Sequence, residues 1–117
     1  MKSLSLTKKE RVLKRADFID ISVRGHRLRT ENFTIIAQPN GGDITRLGIA
    51  VSKRVGNSVK RNRVKRLIRE FFRLHKHSIP TGYDVVIIPL HKIEAPSFSK
   101  VCDELRNALI KNDEFIS

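Results

Sequence analysis

The run Lys60-Arg61-Asn62-Arg63-Val64-Lys65-Arg66-Leu67-Ile68-Arg69 packs six cations and one amide into ten residues. At about 100° per residue, a helix gathers Asn62, Lys65, Arg66, Arg69 and Arg73 into an arc of about 100°, with Arg61 and Arg63 flanking its start. Guanidinium forks grip phosphates, and an amide among them reaches a base or sugar edge. A solvated helix face normally interleaves Glu and Lys for mutual support. Here Glu70 is the only acid against ten bases from Lys53 to Lys76, a net +9 over 24 residues. Such repulsion costs stability, and a polyphosphate partner offsets the cost. The lead-in Lys53-Arg54-Val55-Gly56-Asn57-Ser58 suits the same partner. Gly56 and Asn57 tolerate unusual backbone angles, Asn57 or Ser58 can cap the helix, and a helix N-terminus offers amides and a positive dipole end to phosphate.

Other chemistry-bearing residues point elsewhere. His26, His75, His77 and His91 show no zinc spacing and no local Cys or Asp partner. Asp17 and Asp20 lie in a basic neighbourhood, where Asp17 suits the N-terminus of a first helix. Cys102 is the single cysteine, so no intrachain disulfide forms; its place on an apolar stripe marks it as a small buried hydrophobe. The residues therefore nominate no catalytic group, no metal ligand and no cofactor of the protein's own.

These side chains must be positioned by elements that the apolar pattern outlines. Residues 1 to about 15 carry Lys2, Lys8, Lys9, Arg11 and Lys14 with little apolar pattern, and read as a partly ordered basic arm. A short helix is expected over Ala16 to Val23, ended by Gly25 at positive φ. Asn32 to Gln38 and Arg46 to Ser52 read as the strands of a hairpin around Asn40-Gly41-Gly42-Asp43. Phe33, Ile35, Ala37, Leu47, Ile49 and Val51 form its apolar face. Thr34, Ile36, Gln38, Arg46, Gly48, Ala50 and Ser52 lie on a second, mixed face that can stay open. The longest helix runs from about Val59 to His75, with Val64, Leu67, Ile68, Phe71, Leu74 and His75 as its stripe. Tyr83 to Pro89, β-branched on both faces, reads as a buried strand parallel to its predecessor, making a βαβ unit. Pro96-Ser97 caps a last helix striped by Phe98, Val101, Cys102, Leu105, Ala108 and Leu109.

The whole chain fits one domain, and its 39% apolar content is enough for a core. The net charge of +12 narrows the partners to polyanions. No stretch approaches the roughly 20 apolar residues that cross a bilayer, and the N-terminus has no apolar signal core. The expectation is a soluble, cytoplasmic protein with no membrane partner.

With these residues laid out, a family likeness is visible. The Arg61-Asn62-Arg63 motif within residues 60–69, the stretch Gly48-Ile49-Ala50-Val51-Ser52-Lys53-Arg54-Val55-Gly56-Asn57-Ser58-Val59, Arg15-Ala16-Asp17-Phe18 and Tyr83-Asp84-Val85-Val86-Ile87-Ile88 resemble the bacterial ribonuclease P protein subunit. The likeness spans about residues 7 to 110, and its central motif is specific. It implies an α+β fold: an α/β sandwich with a central, mostly antiparallel sheet of about four strands and the order αβββαβα. It also implies a left-handed βαβ crossover in place of the usual right-handed one. It assigns Lys53, Arg54, Asn57, Lys60, Arg61, Asn62, Arg63, Lys65, Arg66 and Arg69 to binding the catalytic RNA, one RNA to one protein. It assigns Phe18, Thr34, Ile36, Ala50 and Ser52 to a cleft for the 5′ leader of precursor tRNA. Hydrolysis would fall to the RNA with Mg²⁺. Where the family often lines that cleft with aromatics, this chain has Ser22 and Ile36; stacking gains roughly 1–3 kcal/mol per base, so leader grip here leans on shape and charge.

The rival reading is a general basic RNA-binding or ribosomal-type protein, which explains the charge but not an open sheet face beside a basic helix. DNA is a poorer fit, because a groove-reading helix mixes Asn, Gln and Ser with Arg. A stand-alone metallonuclease lacks its ligands.

Overall fold

A computed structural model describes residues 10, 11, 14–93 and 96–111. Its elements are α1 (Arg15–Arg24), β1 (His26–Arg29), β2 (Phe33–Pro39), β3 (Arg46–Ile49), a 3₁₀ turn (Lys53–Val55), α2 (Ser58–His75), β4 (Tyr83–Pro89) and α3 (Phe98–Leu109). This is the order αβββαβα. The expected basic arm lies largely outside the described residues. Within its span, Arg11 bridges to Leu47 of β3, Glu10 pairs with Lys76, and Arg15 already belongs to α1.

The four strands lie in the order β1-β2-β4-β3. β1 with β2 and β2 with β4 are antiparallel, while β3 with β4 is parallel. The hairpin expected between residues 32–38 and 46–52 is therefore corrected: β4 lies between these two strands. Val85, Val86 and Ile87 are all buried, so β4 has apolar partners on both faces and gains most from a central place. The real hairpin is β1–β2. Apolar alternation misses β1 because Leu28 is the one apolar residue in His-Arg-Leu-Arg. Its turn is held from outside, where Glu104 of α3 accepts hydrogen bonds from the Asn32 amide (2.7 Å), the Asn32 side chain (2.8 Å) and the Thr30 hydroxyl.

Each sheet face meets its own layer. Phe33, Ile35, Ala37, Leu47, Val85 and Ile87 pack against α2 and α3 in the main core. Each fully buried Val, Leu, Ile or Phe among them contributes about 1.5–3 kcal/mol. On the opposite face Ile36 and Val86 pack with Ile21 of α1, flanked by Phe18 and Ile88. The result is a three-layer sandwich in which, among the described residues, α1 is the one helix on its side.

Asn57 caps α2, its Oδ1 accepting from the Lys60 amide at 3.0 Å, and Ser97 caps α3. The α2 stripe is Val64, Leu67, Ile68, Phe71 and Phe72. Leu74, expected on it, is 44% exposed. Phe72 and Leu74 flank the stripe on opposite sides, and the returning chain at Ile79 covers only the Phe72 flank. Cys102 is buried on the α3 stripe, as expected. Gly25 does not adopt positive φ; it caps α1 at φ −70. Its small size is needed because a Cβ there would lie 2.5 Å from Ile21 O and closer still to Ile36 Cγ2. β3 is also shorter than expected. After Ile49 only the Ala50 amide continues the ladder, to Ile87 O at 3.1 Å, before Ser52 caps the 3₁₀ turn.

Candidate nucleic-acid interface

The α2 surface carries the predicted cations outward. Asn62, Arg63, Arg66 and Arg69 are exposed, while Arg61 and Lys65 are half-buried along the helix flank. Of the ten bases between Lys53 and Lys76, Arg73 pairs with Glu70 and Lys76 with Glu10. Among the described residues the remaining eight have no acidic partner, and Arg63 reaches only the carbonyl of Pro96 at 3.2 Å. The cationic field is thus not neutralised from within. The contrast with Arg73 is local: its hydrogen bond from the guanidinium to Glu70 raises its pKa and ties it down.

The loop before α2 is a tight turn that requires glycine at position 56. Gly56 holds φ 140, a backbone state that L side chains rarely adopt, and a Cβ there would meet Lys60 Cδ at 2.9 Å. The 3₁₀ turn lifts Lys53 and Arg54 to the surface. Alternation places Ser52 on the open sheet face. Its hydroxyl instead accepts the Arg54 amide at 3.3 Å, making it a turn cap at the junction between sheet and α2.

On the other side of the sheet, α1 and the strands enclose a cleft of about 550 Å³. Arg15, Phe18, Ile19, Ser22 and Val23 form its wall, and Ala50, Val86 and Ile88 its floor. Ile19 (54%) and Val23 (78%) are exposed apolar side chains, so the wall is open to solvent. The structure brings Phe18 and Ala50 together here as expected and leaves Thr34 half-buried on the same face. Ile36 is a correction. It is 0% exposed beneath α1 and offers no surface to a ligand. Ile88 of β4 and Ile19 of α1 also line the cleft and lie outside the expected set, while Val86 beside them is as buried as Ile36; β4 is apolar on both faces, which hides from its sequence which residue α1 leaves open. Its alternation pairs Thr34 with Ile88, which is the signal that would have placed Ile88 at the floor.

What holds α1 over the sheet is a polar clamp at one end and apolar packing at the other. Asp84, 6% exposed, receives Arg46 Nε at 2.7 Å, Arg46 Nη2 at 2.5 Å and Asn40 Nδ2 at 3.0 Å. Desolvation pushes its pKa up, but the hydrogen bonds from Arg46 and Asn40 outweigh that and hold it below the usual carboxylate value. The Arg46 pKa is raised in turn, chiefly by its hydrogen bond to Asp84. Asp17 of α1 sits 3.7 Å from the same guanidinium, tying helix to sheet. Asp17 also lies in the first turn of α1, where it suits the helix N-terminus as expected, so the approach to Arg46 adds to that role.

Two of the four histidines, His75 and His91, are engaged locally. The His75 ring stacks on Phe71 at 4.5 Å and bonds its carbonyl at 3.0 Å. His91 points its two ring nitrogens at the carbonyls of Lys92 and Glu31, at 2.8 and 3.3 Å. These bonds, the one to Lys92 first, raise its pKa by favouring the doubly protonated ring. Among the described residues no group of three or more His, Cys, Asp or Glu is placed to hold a metal ion. Nor is any helix among them long and apolar enough to cross a membrane.

Comparison with known proteins bears on the family and the fold. The family model described as Ribonuclease P matches residues 6–113. The ribonuclease P protein component of Syntrophus aciditrophicus is 44% identical over 117 residues, covering 100% of this chain and 98% of the relative. That of Thermotoga maritima is 40% identical over 109 residues, covering 90% and 93%. A solved structure of the Thermotoga maritima RNase P protein superposes with a TM-score of 0.81 at 40% identity, covering 87% of this chain and 96% of that one. The Staphylococcus aureus protein gives 0.80 at 33% identity, covering 92% and 98%. With one family matched across sequence and fold alike, the chain belongs to the ribonuclease P protein family.

Proposed function

We propose that this chain works as the protein subunit of ribonuclease P by two separate surfaces, the α2 ridge docking on the catalytic RNA and the α1–sheet cleft taking the 5′ leader of precursor tRNA. The observation that carries the reading is the set of eight bases from Lys53 to Arg69 without an acidic partner among the described residues, joined through Ser52–Arg54 to an open apolar cleft. The ridge neutralises crowded RNA phosphates. The cleft holds a single strand by apolar floor and basic rim. In this reading hydrolysis belongs to the RNA with Mg²⁺, and the protein raises substrate affinity. A general ribosomal-type binder would need the ridge but not the cleft.

Reconstitution with a bacterial ribonuclease P RNA tests both surfaces together. Arg61→Ala with Arg66→Ala is expected to weaken RNA-subunit binding and to lower its log–log salt slope by roughly one unit per lost phosphate contact. Phe18→Ala is expected to leave assembly intact and to reduce the preference for precursor over mature tRNA. An unchanged salt slope in the first variant rules out the ridge as the contact. Leader-independent binding by the unaltered holoenzyme rules out the cleft.

A further inference from the structure

We infer that Arg29, at the free edge of β1, is a phosphate contact that carries the leader track across the whole width of the sheet; this rests on the leader reading of the cleft. The strand register supplies the argument. Arg29 is paired with Thr34, and Thr34 with Ile88. Ile49 is paired with Ile87, and the Ala50 amide bonds Ile87 O, so Ala50 falls beside Ile88. Arg29, Thr34, Ile88 and Ala50 therefore form one row across four strands. At about 4.8 Å between strands, the row spans roughly 14 Å.

The neighbouring row, Arg27, Ile36, Val86 and Gly48, is roofed by α1, whose Ile21 packs on Ile36 and Val86. Arg27 confirms which face this is, since its guanidinium donates to Ser22 O of α1 at 2.8 Å. The open row beside it is a trough with α1 as its wall. Arg15 stands in that wall beside Ala50 and Ile88. Arg29 stands exposed at the β1 end, and among the described residues it forms no ion pair. The middle is apolar or hydroxylic. A single-stranded nucleic acid asks for this arrangement, with a surface for bases and cations for the phosphates at either end. The competing account is that Arg29 merely keeps an edge strand from pairing with another sheet.

Precursor tRNAs with leaders lengthened one nucleotide at a time separate the two accounts. With the unaltered holoenzyme, affinity is expected to climb with leader length and then level off. Arg29→Ala is expected to level off earlier, with long leaders bound about three- to fivefold more weakly and their salt slope reduced by about 0.7. Binding of mature tRNA and of the RNA subunit is expected to stay unchanged, and Arg29→Lys to keep most of the long-leader gain. No loss at any length would overturn the inference in favour of edge protection. An equal loss on mature tRNA or on the RNA subunit would overturn it in favour of a contact elsewhere in the complex. Indifference of the unaltered holoenzyme to leader length would sink the cleft reading itself, a result distinct from both.

Discussion

Asp84 shows how much one buried group decides here. Read along the chain it is a polar residue entering an apolar strand; in the fold it is the acceptor that locks Arg46 and Asn40 into place. Removing its charge leaves Arg46 without its main partner. Breaking a buried pair costs about 3–5 kcal/mol, and the partial exposure of Arg46 reduces that, so Asp84→Asn is expected to lower stability at pH 7 by about 2–4 kcal/mol in urea unfolding. The pH dependence carries a definite sign. The carboxyl titrates lower in the folded chain than in the unfolded one. Its stabilisation is therefore complete above the unfolded value, near 4, and is lost as pH falls through the folded value. Unfolding free energies measured from pH 6 downward are expected to fall more steeply for the unaltered chain than for Asp84→Asn; parallel curves would contradict the clamp. His91 carries the opposite sign. Its raised pKa favours the folded state below about 6.5, and that contribution fades as pH rises through the folded value.

Among the elements, α1 is the one on which the cleft depends. Ile21 is its only buried residue, so its seat on the sheet rests on few contacts: the Ile21 cluster, the Asp17–Arg46 approach and the Arg27–Ser22 bond. Gly25 lets the chain turn from α1 into β1 against Ile36. Gly25→Ala is compatible with φ −70 but forces overpacking, expected to cost about 1–3 kcal/mol. Because the main core lies on the other face, the loss is expected to appear as weakened leader preference with RNA-subunit affinity retained. Equal loss of both would mean that α1 and α2 are not separable. The α2 ridge shows the converse. Its cations were legible from helical spacing alone, since an exposed face needs no tertiary partner to define it.

For the whole molecule the excess charge is the governing quantity. The net +12 is concentrated on α2 and its lead-in, with a net −1 over residues 97–117. A ridge of eight bases without acidic partners is expected to make RNA-subunit affinity fall by roughly 10³–10⁵ between 50 and 200 mM salt, the range for six to ten phosphate contacts. A fall below tenfold, measured by filter binding at the two salt concentrations, would show that few of these cations engage phosphate. The leader gain is expected to be less salt-dependent, because Phe18, Ile88 and Ala50 contribute an apolar share.

Sequence alone determined the local quantities: the helix cap at Ser97, an α2 cap at Asn57 or Ser58, the α3 stripe and the centre of the α2 stripe, the cationic ridge around Arg61-Asn62-Arg63, and the buried thiol of Cys102. These follow from periodicity and side-chain chemistry within one element. The fold chose Asn57, buried Phe72 and left Leu74 exposed. Which strands become neighbours was decided only by the tertiary structure, since strand order depends on how α2 returns β4 between β2 and β3. That choice buried Ile36 beneath α1, raised Ile88 to the cleft floor and set Arg29 at the end of its row. Alternation assigns a residue to one face of a strand; only the layers packed above that face settle whether it meets helix or solvent.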